Sequence, residues 1–166
     1  MELASDHLDI AAVADVSATG CDLVRQWLRE HNWTANQDFM EQLQQPEHQA
    51  RALVLLARRD ARVVGGLIAE TQMAWLRISI MAVSPECRSQ GIGAALLAEA
   101  ERLAVGCGCR HAYVDTMEYQ EPRFYLAHRF SIVGQIPDWD SRGHAKLYFS
   151  KDLRGNGSSL PTEARS

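Results

Sequence analysis

Arg88-Ser89-Gln90-Gly91-Ile92-Gly93 sets one guanidinium and two glycines just ahead of an apolar-periodic run. A helix start leaves backbone N–H groups without intrahelical partners. The macrodipole adds roughly half a positive charge at that end. Glycines allow the backbone to approach a phosphate closely. Arginine offers a forked donor set that matches phosphate oxygens. The spacing therefore predicts an anion site over Arg88, Ser89, Gln90, Gly91, Ile92, Gly93 and Ala94, with a phosphate-bearing ligand as its natural occupant.

Two familiar phosphate loops compete for this segment. A P-loop needs G-x-x-x-x-G-K-[ST], and no Gly-Lys pair occurs in the chain. A dinucleotide fingerprint needs a third Gly or Ala three residues after the second; Leu96 stands there. The stretch from Val83 to Gly91 is also too long for that fingerprint's tight turn. Asp115 does lie about 20 residues beyond Gly93, where a ribose-binding acid would sit. A Rossmann reading is therefore the minor alternative.

The elements that must position this loop follow from periodicity. Leu8–Val13 reads as a short first strand. Asp22–His31 carries Leu23, Trp27 and Leu28 on one helical face, with Asp22 or Thr19 as its cap. Gln37–Leu43 reads as a short helix ending near Pro46. Ala52–Arg58, Val63–Thr71 and Trp75–Val83 read as an antiparallel meander, with Gly65-Gly66 marking a bulge or a close approach. Arg58-Arg59-Asp60 reads as a solvated turn. Ser84-Pro85 stops the third strand. Gly91–Val105 is an amphipathic helix closed by Gly106 and Gly108. A strand at Ala112–Thr116, a helix at Glu121–His128, and strands at Ser131–Ile136 and Ala145–Leu153 complete a mixed α/β domain. It spans residues 1–153, followed by a mobile polar tail from 154 to 166.

Bulk composition narrows the partners. The chain has 166 residues, 46% hydrophobic and 23% charged, with net charge −4 and pI about 5.8. This suits one globular domain and argues against a nucleic-acid binder. Cys21, Cys87, Cys107 and Cys109 do not make paired zinc spacings, so no metal is expected. They read as reduced, small, buried or half-buried side chains. Met1–Val13 has no basic region before its apolar residues, and no run of ~18 apolar residues occurs. A cytoplasmic protein without membrane contact is the expectation.

The block Val83-Ser84-Pro85-Glu86-Cys87-Arg88-Ser89-Gln90-Gly91-Ile92-Gly93-Ala94-Ala95-Leu96-Leu97 resembles the acetyl-CoA signature of the GNAT superfamily of N-acetyltransferases, [Q/R]-x-x-G-x-[G/A]. Phe124-Tyr125-Leu126-Ala127-His128-Arg129-Phe130 resembles that family's F-Y-x-x-x-G-[F/Y] segment, with Arg129 at the usual Gly. The likeness covers roughly Leu53–Leu153. It implies the GNAT fold, a mostly antiparallel α/β sheet flanked by helices. It implies acetyl-CoA as co-substrate and an acetyl transfer to a primary amine, most readily on a small molecule. A homodimer is compatible with it. The resemblance lays the pantetheine arm along Met81, Ala82 and Val83 like an added strand and makes Tyr125 the acid for the departing thiolate. The family's usual strand Glu is replaced by Ser79. Base candidates are then Glu70, Asp115, Glu118 and His144, with His144 best placed in its loop and Glu118 where relatives carry a cofactor-contacting Asn. Asp138 and Asp140 flank Trp139 and would suit a cationic acceptor. A protein acetyltransferase and a non-catalytic acyl-CoA sensor are the alternatives.

Overall fold

A computed structural model describes residues 8–15, 17 and 20–155. They form two compact units, divided between Leu43 and Gln44. The first holds helix α1, Cys21–Ala35, and most of α2, Gln37–Gln44. Helix α1 begins at Gly20 (φ 102°) with no side-chain cap. Asp22 is instead paired with Arg25 at 2.7 Å within the first turn, and Thr19 lies outside the described residues. Asn36 separates the helices: its N–H closes α1 on Asn32 O, and its Oδ1 accepts the N–H of Phe39 at the start of α2. Leu8–Val13 is irregular and exposed, not the expected strand. An apolar run becomes a strand only when a neighbour takes its backbone groups, and this one has no sheet pairing among the described residues.

The second unit is a six-stranded sheet in the order β1-β2-β3-β4-β6-β5. Its strands are β1 Arg51–Arg59, β2 Arg62–Gln72, β3 Trp75–Val83, β4 His111–Met117, β5 Ser131–Ile136 and β6 Lys146–Asp152. Only β3 and β4 run parallel. Helix α3, Ile92–Gly106, makes the crossover between them, as a parallel pair requires, and α4, Pro122–Ala127, follows β4. Alternation places Leu67 and Ala69 of β2 with Leu76 and Ile78 of β3 in one core, together with Leu96, Leu97 and Ala100 of α3. Leu53, Leu55 and Ala57 of β1 pack against the same core.

Two irregularities bend the meander. The β1–β2 hairpin turns through Asp60 (φ 48°) and Ala61 (φ 66°), the left-handed pair that a two-residue type I′ turn demands. Beyond it the register shifts, so that Val64 is an extra residue on β2. The second shift, between Ile68 and Ala69, skips Ser79 on β3. Bulges bend the strand and re-aim side chains. Gly65 and Gly66 mark close approaches, as expected: a Cβ on Gly65 would stand 3.1 Å from Ala82 O, and one on Gly66 3.1 Å from Leu55 O.

Candidate active site

Strand β3 leaves its parallel partner early. The β3–β4 pairing runs from Trp75↔His111 to Ile78↔Val114 and stops. On its other edge β3 stays paired with β2 up to Val83. Met81, Ala82 and Val83 therefore keep a strand edge that β4 does not cover, just beyond the bulge at Ser79. Unpaired strand edges are where an extended ligand adds itself as a further strand.

That edge leads straight into the glycine loop. Pro85–Cys87 makes a single 3-10 turn, and α3 starts at Gly91 (φ 79°) with no side-chain cap. Ser89 is left-handed too, at φ 59°. The first-turn N–H groups of α3 have no capping side chain to satisfy them. Arg88 turns back, its Nε donating to Val83 O at 3.2 Å, and so ties the loop to the strand end. A Cβ on Gly93 would meet the ring of Phe124 at 3.4 Å, which puts α4 beside the start of α3.

Tyr125 of α4 is 8% exposed. Its ring packs against Phe124, Phe130 and Phe149. Burial, and next the charge of Asp115, push its phenol above the ordinary value. Its hydroxyl makes no hydrogen bond to the described residues, which leaves it available to a ligand. Arg129 adopts φ 67°, so the glycine-type cap at the end of α4 is kept with an arginine in it. Phe130 N–H donates to Tyr125 O, and Arg129 N–H to Leu126 O.

A second group of side chains lines a cleft of about 450 Å³. Its walls include Ser79, Asp115, Tyr119, Trp139, Asp140 and Lys146. Asp115 on β4 and Lys146 on β6 form an ion pair at 2.7 Å, and the same ammonium sits 4.5 Å from the Trp139 ring centroid. Gln120 closes the turn after β4 by accepting from Thr116 Oγ1 and Met117 N–H. The loop from Pro137 to His144 is tied by its own aspartates. Asp138 Oδ1 accepts Gly143 N–H at 2.6 Å, and Asp140 Oδ1 accepts the N–H groups of Arg142 and His144. Asp140 Oδ2 then meets His144 Nδ1 at 2.6 Å, and the imidazole rests edge-on against Tyr119.

Residues 21–130 match the family described as Acetyltransferase (GNAT) family. The chain belongs to the GNAT acetyltransferase family. An acetyltransferase of Agrobacterium fabrum is 37% identical over 83 residues, covering 50% of this chain and 61% of that one, so the match spans under two thirds of that relative. A blasticidin-S acetyltransferase of Streptomyces morookaense is 31% identical over 99 residues, covering 57% of this chain and 73% of the relative. The crystal structure of an acetyltransferase from Bacillus cereus shares the fold, with a TM-score of 0.69 at 23% identity, over 86% of this chain and 97% of the other. The family uses acetyl-CoA as co-substrate.

Within this GNAT fold the candidates read from sequence separate into two groups. Met81–Val83, Arg88–Ala94 and Tyr125 lie on the strand edge, the loop and α4. Asp115 lines the second cleft, and His144 touches Tyr119 and Asp140 of its wall. Glu118 is exposed and does not line that cleft; its N–H donates to Ala145 O. Glu70 is held across the sheet by Arg77 at 3.2 Å. Cys107 is exposed rather than half-buried, while Cys87 and Cys109 are buried; all four cysteines are free. No cluster of three His, Cys, Asp or Glu suits a metal among the described residues. No described helix is long and apolar enough to cross a membrane. The sequence does not single out Lys146, and it places Arg58 and Arg59 in a solvated turn, whereas both are the last residues of β1 and the turn is Asp60-Ala61. Alternation along β1, from Leu53 through Leu55 and Ala57, already carried Arg59 to the α3 face.

Proposed function

We propose that this acetyltransferase moves the acetyl group from acetyl-CoA to the primary amine of a small molecule. The observation that carries the reading is the uncovered edge of Met81–Val83 running into an uncapped helix start, with the free hydroxyl of Tyr125 on the neighbouring helix. In this reading Met81, Ala82 and Val83 hold the pantetheine arm, and an N–H of that edge polarises the thioester carbonyl. Such an oxyanion contact contributes about 3 kcal/mol to lowering a barrier. Arg88 and the backbone of Ser89, Gln90, Gly91, Ile92, Gly93 and Ala94 form the phosphate cradle.

Chemistry then needs one base and one acid. The amine nitrogen attacks the thioester carbon, and the C–S bond breaks as the tetrahedral intermediate collapses. Tyr125 gives its proton to the leaving sulfur. His144 takes the proton from the amine. With Nδ1–H donated to Asp140, Nε2 carries the lone pair, the tautomer a general base requires. Asp115 is paired with Lys146 and Glu70 with Arg77; neither Glu118 nor His144 lines the cleft itself, but His144 rests on its wall at Tyr119 and Asp140, which favours His144 among the candidates. The loop already engages Asp138 and Asp140, so Trp139 and Tyr119 are left to meet the acceptor with their rings. The Streptomyces relative, by its name an acetyltransferase of blasticidin S, supports a small-molecule acceptor over a protein one. Function within the 1–153 domain as a monomer or a homodimer fits equally.

Adding acetyl-CoA with a panel of small amines and following free thiol tests this. Thermal stabilisation by acetyl-CoA together with amine-dependent thiol release is expected. Stabilisation with no release for any amine would make the chain a non-catalytic acyl-CoA-binding module.

A further inference from the structure

Three arginines surround the glycine loop, and their partners differ. Arg62 Nη2 is paired with Glu86 Oε1 at 2.8 Å. Arg88 is engaged with Val83 O. Arg59 Nη2 donates to the amide oxygen of Gln90 at 2.9 Å, and its Nη1 lies 4.0 Å from Cys87 Sγ. Among the described residues Arg59 has no carboxylate partner. A full positive charge is thus held against the loop by neutral groups alone.

The strand geometry explains how it gets there. Side chains alternate along β1, and Leu53, Leu55 and Ala57 all face the α3 core. The extra residue of the hairpin bulge, Val64, lies on β2, so the alternation of β1 is unbroken through Arg59. Arg59 therefore stands on the face where α3 begins. Val64 O also accepts Ser84 N–H at 2.9 Å, which fastens the hairpin to the start of the loop. Arg58, one residue earlier, faces the other way and donates to Ala61 O within its own turn.

We infer that Arg59 is a phosphate-binding residue of the coenzyme site, supplied from the β1–β2 hairpin rather than from the glycine loop. This rests on the acetyl-CoA reading above. Gln90 Oε1 orients the guanidinium, and a phosphate oxygen arriving at the α3 amides gives it the anion it lacks. Arginine binds phosphate with paired N–H donors, and charge-assisted bonds are roughly twice as strong as neutral ones. Coenzyme A offers two sources of that oxygen, the pyrophosphate and the ribose 3′-phosphate.

Calorimetric titration of wild type, Arg59→Ala and Arg58→Ala with acetyl-CoA and acetyl-dephospho-CoA tests the inference. Arg59→Ala is expected to weaken acetyl-CoA binding about tenfold or more, with the loss shrinking as salt rises. Arg58→Ala is expected to stay within about twofold of wild type. If the Arg59→Ala loss persists with the dephospho thioester, the contact is to the pyrophosphate; if it vanishes, the contact is to the 3′-phosphate. Equal losses in both variants would show only a general charge effect and overturn the assignment. So would an Arg59→Ala protein that binds as wild type does. Wild type that binds neither thioester would overturn the coenzyme reading itself, and this inference with it.

Discussion

Asp140 grips His144 twice, through Oδ2 at 2.6 Å from the ring Nδ1 and through Oδ1 at 3.2 Å from the backbone N–H. One carboxylate thereby fixes both the loop that carries the imidazole and the tautomer of its ring. Burial pushes the Asp140 carboxyl up. The bonds from the His144 ring and backbone and from Arg142 N–H outweigh it and hold the carboxyl below its usual range. A lowered folded value means stability that is present above the unfolded carboxylate pKa, near 4, and lost as pH falls through the folded value.

His144→Ala is expected to lower kcat by about 10²-fold or more, the usual worth of a positioned base. The acetyl-CoA affinity should stay near wild type, because His144 is not on the coenzyme side. Asp140→Asn should lower kcat less, since it changes the ring's partner without removing the ring. Steady-state kinetics with the best amine of the panel, alongside calorimetry with acetyl-CoA, would check both. Unchanged kcat in His144→Ala would remove His144 from the mechanism.

Tyr125→Phe keeps the ring packing on Phe130 and Phe149 and deletes only the hydroxyl. A loss of about 10²-fold or more in kcat is expected, with little change in coenzyme binding. The same variant has a signature in stability. Because the folded phenol lies above its unfolded value of 10.0, the folded chain retains a proton that the unfolded chain releases. That contribution is whole below about pH 10 and is lost as pH rises through the folded value. Denaturant melts between pH 9 and 11 should therefore fall less steeply for the Phe variant than for wild type.

How far these sites were legible in the sequence depends on whether a site is contiguous in the chain. The proposed coenzyme side is contiguous. Trp75–Val83, the Ser84-Pro85 stop and the glycines before an apolar-periodic run can be read in order, and β3 falls where the pattern places it. The proposed acceptor side is assembled from pieces. Ser79 reaches it through a bulge that exists only relative to the register of β2. Lys146 reaches Asp115 only because β4 and β6, separated by α4 and β5, lie side by side. Arg59 was hidden by a turn whose Asp60-Ala61 lacks the glycine that usually advertises type I′. Leu8–Val13 shows the reverse error, an apolar run with no strand neighbour among the described residues.

Two left-handed residues offer direct stability tests. Arg129 at φ 67° and Ala61 at φ 66° both hold a Cβ in a region that costs about 1 kcal/mol for residues other than glycine. Arg129→Gly and Ala61→Gly should each stabilise the fold by about 0.5–1 kcal/mol in urea melts, after the greater entropy of an unfolded glycine is counted. Arg129→Ala, which keeps the Cβ and loses the charge, should not reproduce the gain. If it does, the backbone argument fails and the guanidinium itself is the destabilising group.

Lys151 on β6 and Glu101 on α3 tie the helix to the far part of the sheet. The ammonium reaches both carboxylate oxygens at 2.7 Å, with the two side chains only 16% and 18% exposed. The same nitrogen lies 5.5 Å from the Phe130 ring, so the pair also rests on the aromatic group that packs around Tyr125. At this depth water screens the pair weakly, and removing one partner leaves the other charge half-buried without compensation. Lys151→Met should therefore cost about 2 kcal/mol or more, and Glu101→Gln a similar amount. The double variant should cost clearly less than the two added together, because neither charge is then stranded. Urea denaturation of the four proteins at neutral pH gives the coupling directly. Additive losses would mean that the pair is a surface contact of little worth, and that α3 is held by its apolar face alone.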